Sequence, residues 1–310
     1  MSIYTLQYPE NKKFAFTIFD DTDYATIKNI KPVYDLLKQL KIFTTKSVWV
    51  YPPDSTDTCT GLSLEDNEYL KFVKRLQKQG FEIALHNVGS GGNTREKIEK
   101  GINVFNEKIG HYPQVHVNHS RNPDNIYWGY KRFTWPLSFA YKMMTKDRYY
   151  GEDKNSRHFW GDLHKKHIRF TRNLTVDNIN TLRFNPNMPY REKTKEKYSN
   201  YYFSSTNGAT MVEFNKNITP ATIDNLEAEG GVCILYTHFA CDFVDKKGNL
   251  DKTFEKTMKY IASKGGYYRP VGELLDHLLK VNPKAGKNIG YFQKQWMNFL
   301  WVMNTIKNLF

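Results

Sequence analysis

Short apolar runs alternate with amphipathic stretches through the first 120 residues, and this rhythm leaves few folds open. Runs at 14–19, 44–51, 81–85 and 114–118 read as strands. Between them lie helical patterns. The first covers 27–40. The second follows Ser63-Leu64-Glu65-Asp66, which resembles a capping box, and puts Tyr69, Phe72, Val73 and Leu76 on one face before Gly80 ends it. The third is capped by Asn93 or Thr94, carries Ile98, Ile102, Phe105 and Ile109, and closes at Gly110. Alternating βα units of about 30 residues imply parallel strands with helices outside, with active groups gathered at the carboxyl ends of the strands.

Residues 125–205 break this rhythm. Lys, Arg, Asn and aromatic residues dominate there, and periodicity is poor. Twelve aromatics between 131 and 198 argue against disorder, so the segment reads as an ordered insertion covering the strand ends. The rhythm returns near Met211. Thr219-Pro220 opens a helix that Gly230-Gly231 stops, residues 232–237 form a buried strand, and 251–263 and 271–279 read as helices. A last short strand is expected at 267–270. One domain therefore spans 1–285, and 286–310 forms a C-terminal amphipathic helix.

The net charge of +13 is unevenly placed. Residues 131–198 hold 16 Lys/Arg against 7 Asp/Glu, and 281–310 hold four Lys and no acid. Such patches suit an anionic partner such as phosphate or an anionic membrane face, or they simply solubilise the surface. No nucleic-acid motif accompanies them, so nucleic acid is not expected. Cys59, Cys233 and Cys241 are too few and too scattered for a disulfide framework or a zinc cluster, and no 18-residue apolar stretch exists. The opening MSIYTLQYPENKK lacks the apolar core of a signal peptide. A cytoplasmic setting is the expectation, with contact at the inner face of the membrane left open.

Chemistry concentrates where strands end. Asp20-Asp21 stand at the end of the first strand, His86 at the third, Asn118-His119 at the fourth and His238 at the late strand. Two adjacent acids resist joint ionisation, which suits a metal ligand beside a general base, although an Asp-rich turn would look the same locally. Acids and imidazoles on separate strand ends can converge on a divalent metal. His164-Lys165-Lys166-His167 carries histidines at helical spacing, but its lysines favour an anion contact over a metal.

At these residues the chain resembles the polysaccharide deacetylase family, the NodB-homology or carbohydrate esterase type, over 14–123 and 210–280. That family's Thr-Phe-Asp-Asp-Gly motif is matched by Thr17-Ile18-Phe19-Asp20-Asp21-Thr22 with one inserted residue. Its His-x-x-x-His motif is matched at His86, with Ser90 in place of the second His. The Gly-x-x-Pro approach to its third motif is Gly110-His111-Tyr112-Pro113, after which 116–123 read HVNHSRNP. Its Leu-His motif is matched by the strand ending at His238.

The resemblance implies a distorted (β/α) barrel of seven or eight strands and metal-assisted hydrolysis of an acetamide or acetyl ester on a sugar. It assigns Asp20 as base, His238 as general acid, and Asp21 and His86 as ligands of a divalent ion, zinc by preference. His119 is expected as the third ligand, with Asn118 or His116 as substitutes. Arg121 is expected to hold Asp20 ionised. Asn118, Trp160, His164 and Lys165 are expected at the substrate, a glycan precursor linked to a nucleotide or lipid. The alternative is an eroded relative that binds glycan or scaffolds without turnover. Phe292, Trp296, Phe299, Met303, Ile306 and Phe310 follow helical spacing among lysines, which suits either an interfacial helix on an anionic leaflet or a helix docked on the barrel.

Overall fold

Seven parallel strands close into a barrel in chain order, β1 to β7, with β7 pairing back onto β1. This computed structural model describes residues 6–54, 59–145 and 148–307. The strands and helices run β1 (Ala15–Asp20), α1 (Ile27–Gln39), β2 (Thr45–Val48), α2 (Asn67–Lys78), β3 (Glu82–Leu85), α3 (Arg95–Ile109) and β4 (Val115–His116). There follow α4 (Leu137–Met144), α5 (Gly161–His167), β5 (Phe170–Val176), α6 (Thr181–Phe184) and β6 (Tyr201–Asn207). The chain ends with α7 (Met211–Asn217), α8 (Pro220–Glu229), β7 (Val232–Thr237), α9 (Lys252–Ser263), α10 (Val271–Val281) and α11 (Tyr291–Lys307).

The expected caps hold with one displacement. Thr94 caps α3 and Thr219 caps α8, each through its hydroxyl, while Gly110 and Gly230 take the left-handed conformation that ends those helices. For α2 the cap is Asp66 at 2.7 Å from the Tyr69 amide, three residues beyond Ser63.

Period-two alternation sorts the strand residues onto two faces. Ala15 and Phe19, Ala84, Val115 and Val117, Phe170, Phe203, Val232 and Ile234 pack together inside the barrel. Phe16 and Ile18, Ile83 and Leu85, Cys233 and Leu235 pack outward with residues of α1, α2, α3 and α9.

Two expectations need correction. The stretch 125–205 is not simply an insertion, because it contributes β5 and β6 to the barrel. Those strands, FTRNLTV and YYFSSTN, carry their barrel contacts through Thr, Ser and Asn as much as through apolar residues, so no apolar run marks them. The expected strand at 267–270 is a single bridge between Tyr267 and Ala15. The C-terminal helix exists as α11. Met297 is buried with Leu174, Tyr190 and Tyr202, and Leu300 and Trp301 pack beside them. Phe310 lies outside the described residues.

Candidate active site

Continuing the inward-facing alternation past the strand ends generates the site. Phe19 leads to Asp21 and Asp23, Ala84 to His86, Val117 to His119, Phe170 to Arg172, and Ile234 to Tyr236 and His238. One ligand atom each from Asp23, His86 and His119 lie within 4.8 Å of one another. His86 Nε2 is 3.2 Å from Asp23 Oδ1, and His119 Nε2 is 3.6 Å from Asp23 Oδ2. His238 Nε2 approaches that second oxygen at 3.5 Å.

The three imidazoles are oriented from behind. Nδ1 of His86 lies 3.3 Å from the Val117 carbonyl, Nδ1 of His119 lies 2.9 Å from Asn122 Oδ1, and Nδ1 of His238 lies 2.9 Å from the Ala209 carbonyl. Each Nδ1–H thus has an acceptor, which turns Nε2 toward Asp23. His119 Nε2 and Asp23 Oδ1 are buried without a hydrogen-bond partner. Two imidazoles and a carboxylate, fixed from outside and left with unpartnered donor atoms, fit a divalent transition ion.

Asn122 also accepts from the Gly91 amide at 2.9 Å and donates to the Gly89 carbonyl at 2.7 Å, so its side chain is itself held. Asn122→Leu should weaken metal affinity by about 10- to 100-fold, as loss of an outer partner of a ligating His does. Calorimetric titration of metal into both proteins checks this; equal affinities would mean that Asn122 does not orient His119.

The adjacent acids part company because successive residues face opposite sides. Asp21 points inward and meets Arg172 through two bonds of 3.0 and 2.6 Å. The guanidinium lies 4.2 Å from the ring centre of Tyr236 and 5.3 Å from that of Phe19, so two aromatic rings brace it. Asp21 Oδ2 is 4.0 Å from His86 Nε2, beside the cluster. Asp20 points outward and is fully buried. It pairs with Lys46 at 3.0 Å, accepts from Tyr34 Oη at 2.9 Å and accepts from the Phe239 amide at 2.8 Å.

Electrostatics follow this separation. Burial raises the Asp20 carboxyl, and Lys46, Phe239 and Tyr34 oppose it. Burial works against the Lys46 ammonium, but Asp20 holds it cationic. At Asp23 burial also opposes charge, yet the close imidazoles of His119, His238 and His86 outweigh it and hold the carboxyl well below its ordinary range. Reciprocally, burial would lower His119 and His238, but Asp23 raises them to about 10 and about 8. Asp23 therefore carries a negative charge that something cationic must neutralise, whether imidazolium protons or a metal ion.

Other expected residues lie elsewhere. Arg121 is exposed on the loop after β4, and Arg172 is the arginine on an acid at the rim. Asn118 exchanges two hydrogen bonds with the backbone of Ile126 and shapes that loop. Trp160 is buried and donates to the Asp124 carbonyl. His164 is buried between the Tyr198 carbonyl and Thr171, and Lys165 donates to the Ser199 carbonyl. His116 faces outward from β4 against Trp160 and His164. Trp160, His164 and Lys165 thus bind α5 and its flanks to the barrel wall. Ser90 is buried, with its backbone carbonyl accepting from the Asp54 amide. Asp23, Arg172 and Tyr236 were not anticipated; the period-two pattern from Phe19, Phe170 and Ile234 was the signal that reaches them.

No protein-family model matches this sequence, and no curated protein does. Solved structures do. A probable polysaccharide deacetylase from Pseudomonas aeruginosa PAO1 aligns with a TM-score of 0.52 at 10% identity, over 89% of this chain and 94% of that one. The fold is the polysaccharide deacetylase barrel. The polysaccharide deacetylase Bc1974 from Bacillus cereus aligns with a TM-score of 0.41 at 12% identity, over 84% of this chain and 92% of that one. Within a polysaccharide deacetylase barrel the carboxyl rim of the strands is where this chain places its two acids, three imidazoles and one arginine.

Proposed function

We propose that the protein is a metal-dependent sugar deacetylase, a divergent member of the polysaccharide deacetylase family, that hydrolyses the acetamide of an amino sugar. The observation that carries this reading is the Asp23–His86–His119 cluster flanked by an arginine-clamped acid and a third imidazole. Those three residues would hold the ion, and their two-nitrogen, one-carboxylate set favours zinc. When bound, the ion polarises the scissile carbonyl and acidifies water.

The chain's own groups divide the remaining work. Asp21, fixed by Arg172, takes the proton from the attacking water. His238, its Nδ1 anchored on Ala209, gives the proton from Nε2 to the departing amine as the C–N bond breaks. Asp20 takes no part, because its oxygens are committed to Lys46, Tyr34 and Phe239. The net charge of +9 over residues 131–198 supports a sugar carried on phosphate, a glycan precursor linked to a nucleotide or a lipid.

Metal content separates this reading from its rivals. Wild type and Asp20→Asn should each carry close to one ion per chain after loading and desalting, and Asp23→Ala should carry less than a tenth of that. Acetate release from an N-acetylated amino-sugar oligomer should follow the metal. Full metal content in Asp23→Ala would refute the proposed ligand set.

A further inference from the structure

Helix α11 turns a mixed face toward the protein, with a lysine and two asparagines bonded beneath it, and a separate apolar stripe away. Lys294, Met297 and Asn298 are buried. Lys294 pairs with Glu192, Asn298 donates to Thr134 Oγ1 at 2.7 Å, and Asn304 accepts from the Asp177 amide at 2.8 Å. The opposite stripe of Phe292, Trp296, Phe299, Met303 and Ile306 faces out. An ordinary surface helix has the reverse arrangement.

A second element extends this surface. Trp135 and, on α4, Phe139, Met143 and Met144 are also exposed. The two elements are tied together: Tyr291 Oη and Gln295 both donate to the Trp135 carbonyl, and the Trp301 ring lies 4.7 Å from that of Phe133. With Tyr291, these ten side chains make up most of the large apolar residues exposed among the described ones, at exposures from 45% (Ile306) to 86% (Phe292, Met144). At on the order of 100 Å² each they expose roughly 1,000 Å² in total on two elements held side by side, where a soluble monomer's largest single patch is usually a few hundred.

Charge identifies the occupant. Residues 131–145 carry three Lys/Arg and residues 281–310 carry four, and neither segment contains an acid. Lys142, Lys284, Lys287 and Lys307 are exposed in these same two segments. A second copy docked face to face would set these cations against one another, whereas an anionic bilayer surface meets both the cations and the aromatic stripe. No helix among the described residues is long and apolar enough to cross a membrane, so the geometry is that of lying on one.

We infer that α11 and residues 135–144 form a docking surface for an anionic lipid bilayer. The surface is independent of the deacetylase reading. It also packs on β5, the strand that delivers Arg172 to Asp21, and so flanks the barrel wall that serves the site.

The test is sedimentation of the full chain with phosphatidylglycerol-rich and with pure phosphatidylcholine vesicles, for wild type and for Phe139→Glu/Trp296→Glu. Wild type should co-sediment with the anionic vesicles at least tenfold more than with the neutral ones, should be released by high salt, and the variant should lose at least tenfold of the binding. A conservative pair, Trp135→Phe/Trp296→Phe, keeps the test valid if the charged variant misfolds. Vesicles with brominated acyl chains should quench wild-type fluorescence, and the pair should lose most of that quenching. Equal sedimentation of wild type and charged variant, quenching unchanged in the conservative pair, or a vesicle-indifferent dimer that Trp296→Glu dissociates would each overturn the proposal. Deacetylase activity enters none of these readouts, so a failure here leaves the proposed reaction untouched.

Discussion

Asp21→Asn should lower kcat for acetate release by about 10²- to 10⁴-fold while the protein keeps its metal, the size of effect expected from loss of a positioned general base. The reasoning is geometric. Asp21 is the acid beside the cluster that is not one of its three members, and Arg172 grips both of its oxygens. The amide of Asn keeps the shape and one acceptor but cannot take a proton. Metal content should therefore stay near wild type and KM should change little, so the loss falls on kcat. Asp20→Asn is the control from the neighbouring position: it faces away from the rim, and its turnover at low temperature should stay within a few-fold of wild type. Arg172→Met should fall between the two, since it frees Asp21 from its clamp without removing the carboxylate. If Asp21→Asn turned over normally while Asp20→Asn did not, the two assignments would have to be exchanged.

That exchange is the one that a linear reading of the sequence makes. The run ending in Asp20-Asp21 was legible as a strand meeting acids, and His86, His119 and His238 were legible as strand-end imidazoles. Which acid faces the barrel interior was set by alternation, and alternation has to be counted from a residue of known face. Phe19 and Ala15 pack inside, so Asp21 and Asp23 follow them, while Asp20 follows Phe16 and Ile18 toward the helices. A family motif of two adjacent acids hides this count. Asp23 was passed over because it lies beyond the adjacent pair, although it continues the same face by one more step. Arg172 was hidden for a different reason. Its strand reads Phe-Thr-Arg-Asn-Leu-Thr-Val, in which the period-two pattern is present but a buried cation occupies an inward position. Sequence hydropathy treats that position as exposed, and the acid just past β1 together with the Tyr236 and Phe19 rings makes it tolerable. Trp160, His164 and Lys165 looked like a sugar platform, but the structure directs their polar atoms to the backbone carbonyls of Asp124, Tyr198 and Ser199 and to the Thr171 hydroxyl.

Lys46→Met should destabilise the fold by about 3–5 kcal/mol, the usual consequence of removing one partner from a buried ion pair. Lys46 is fully enclosed, its ammonium lies 3.0 Å from Asp20, and the surrounding layer is Tyr34, Tyr69 and the apolar residues between α1, α2 and the barrel. Met fills a similar volume, so the cost arises less from a cavity than from the carboxylate left behind. The Tyr34 hydroxyl and the Phe239 amide would remain on that carboxylate, but neither supplies a charge. Either Asp20 stays ionised in an apolar layer or it takes up a proton, and both lower stability at neutral pH. Lys46→Met/Asp20→Asn, which removes both charges, should recover a large part of the loss. Thermal unfolding would show the single substitution as a fall in Tm of about 5–8 °C, with most of it restored in the double variant. Metal content and kcat measured well below Tm should change little in either protein, because Lys46 touches Asp20 and not the rim. A single variant as stable as wild type would mean that the pair offsets its own desolvation and that β1 and β2 are held together by their apolar neighbours alone.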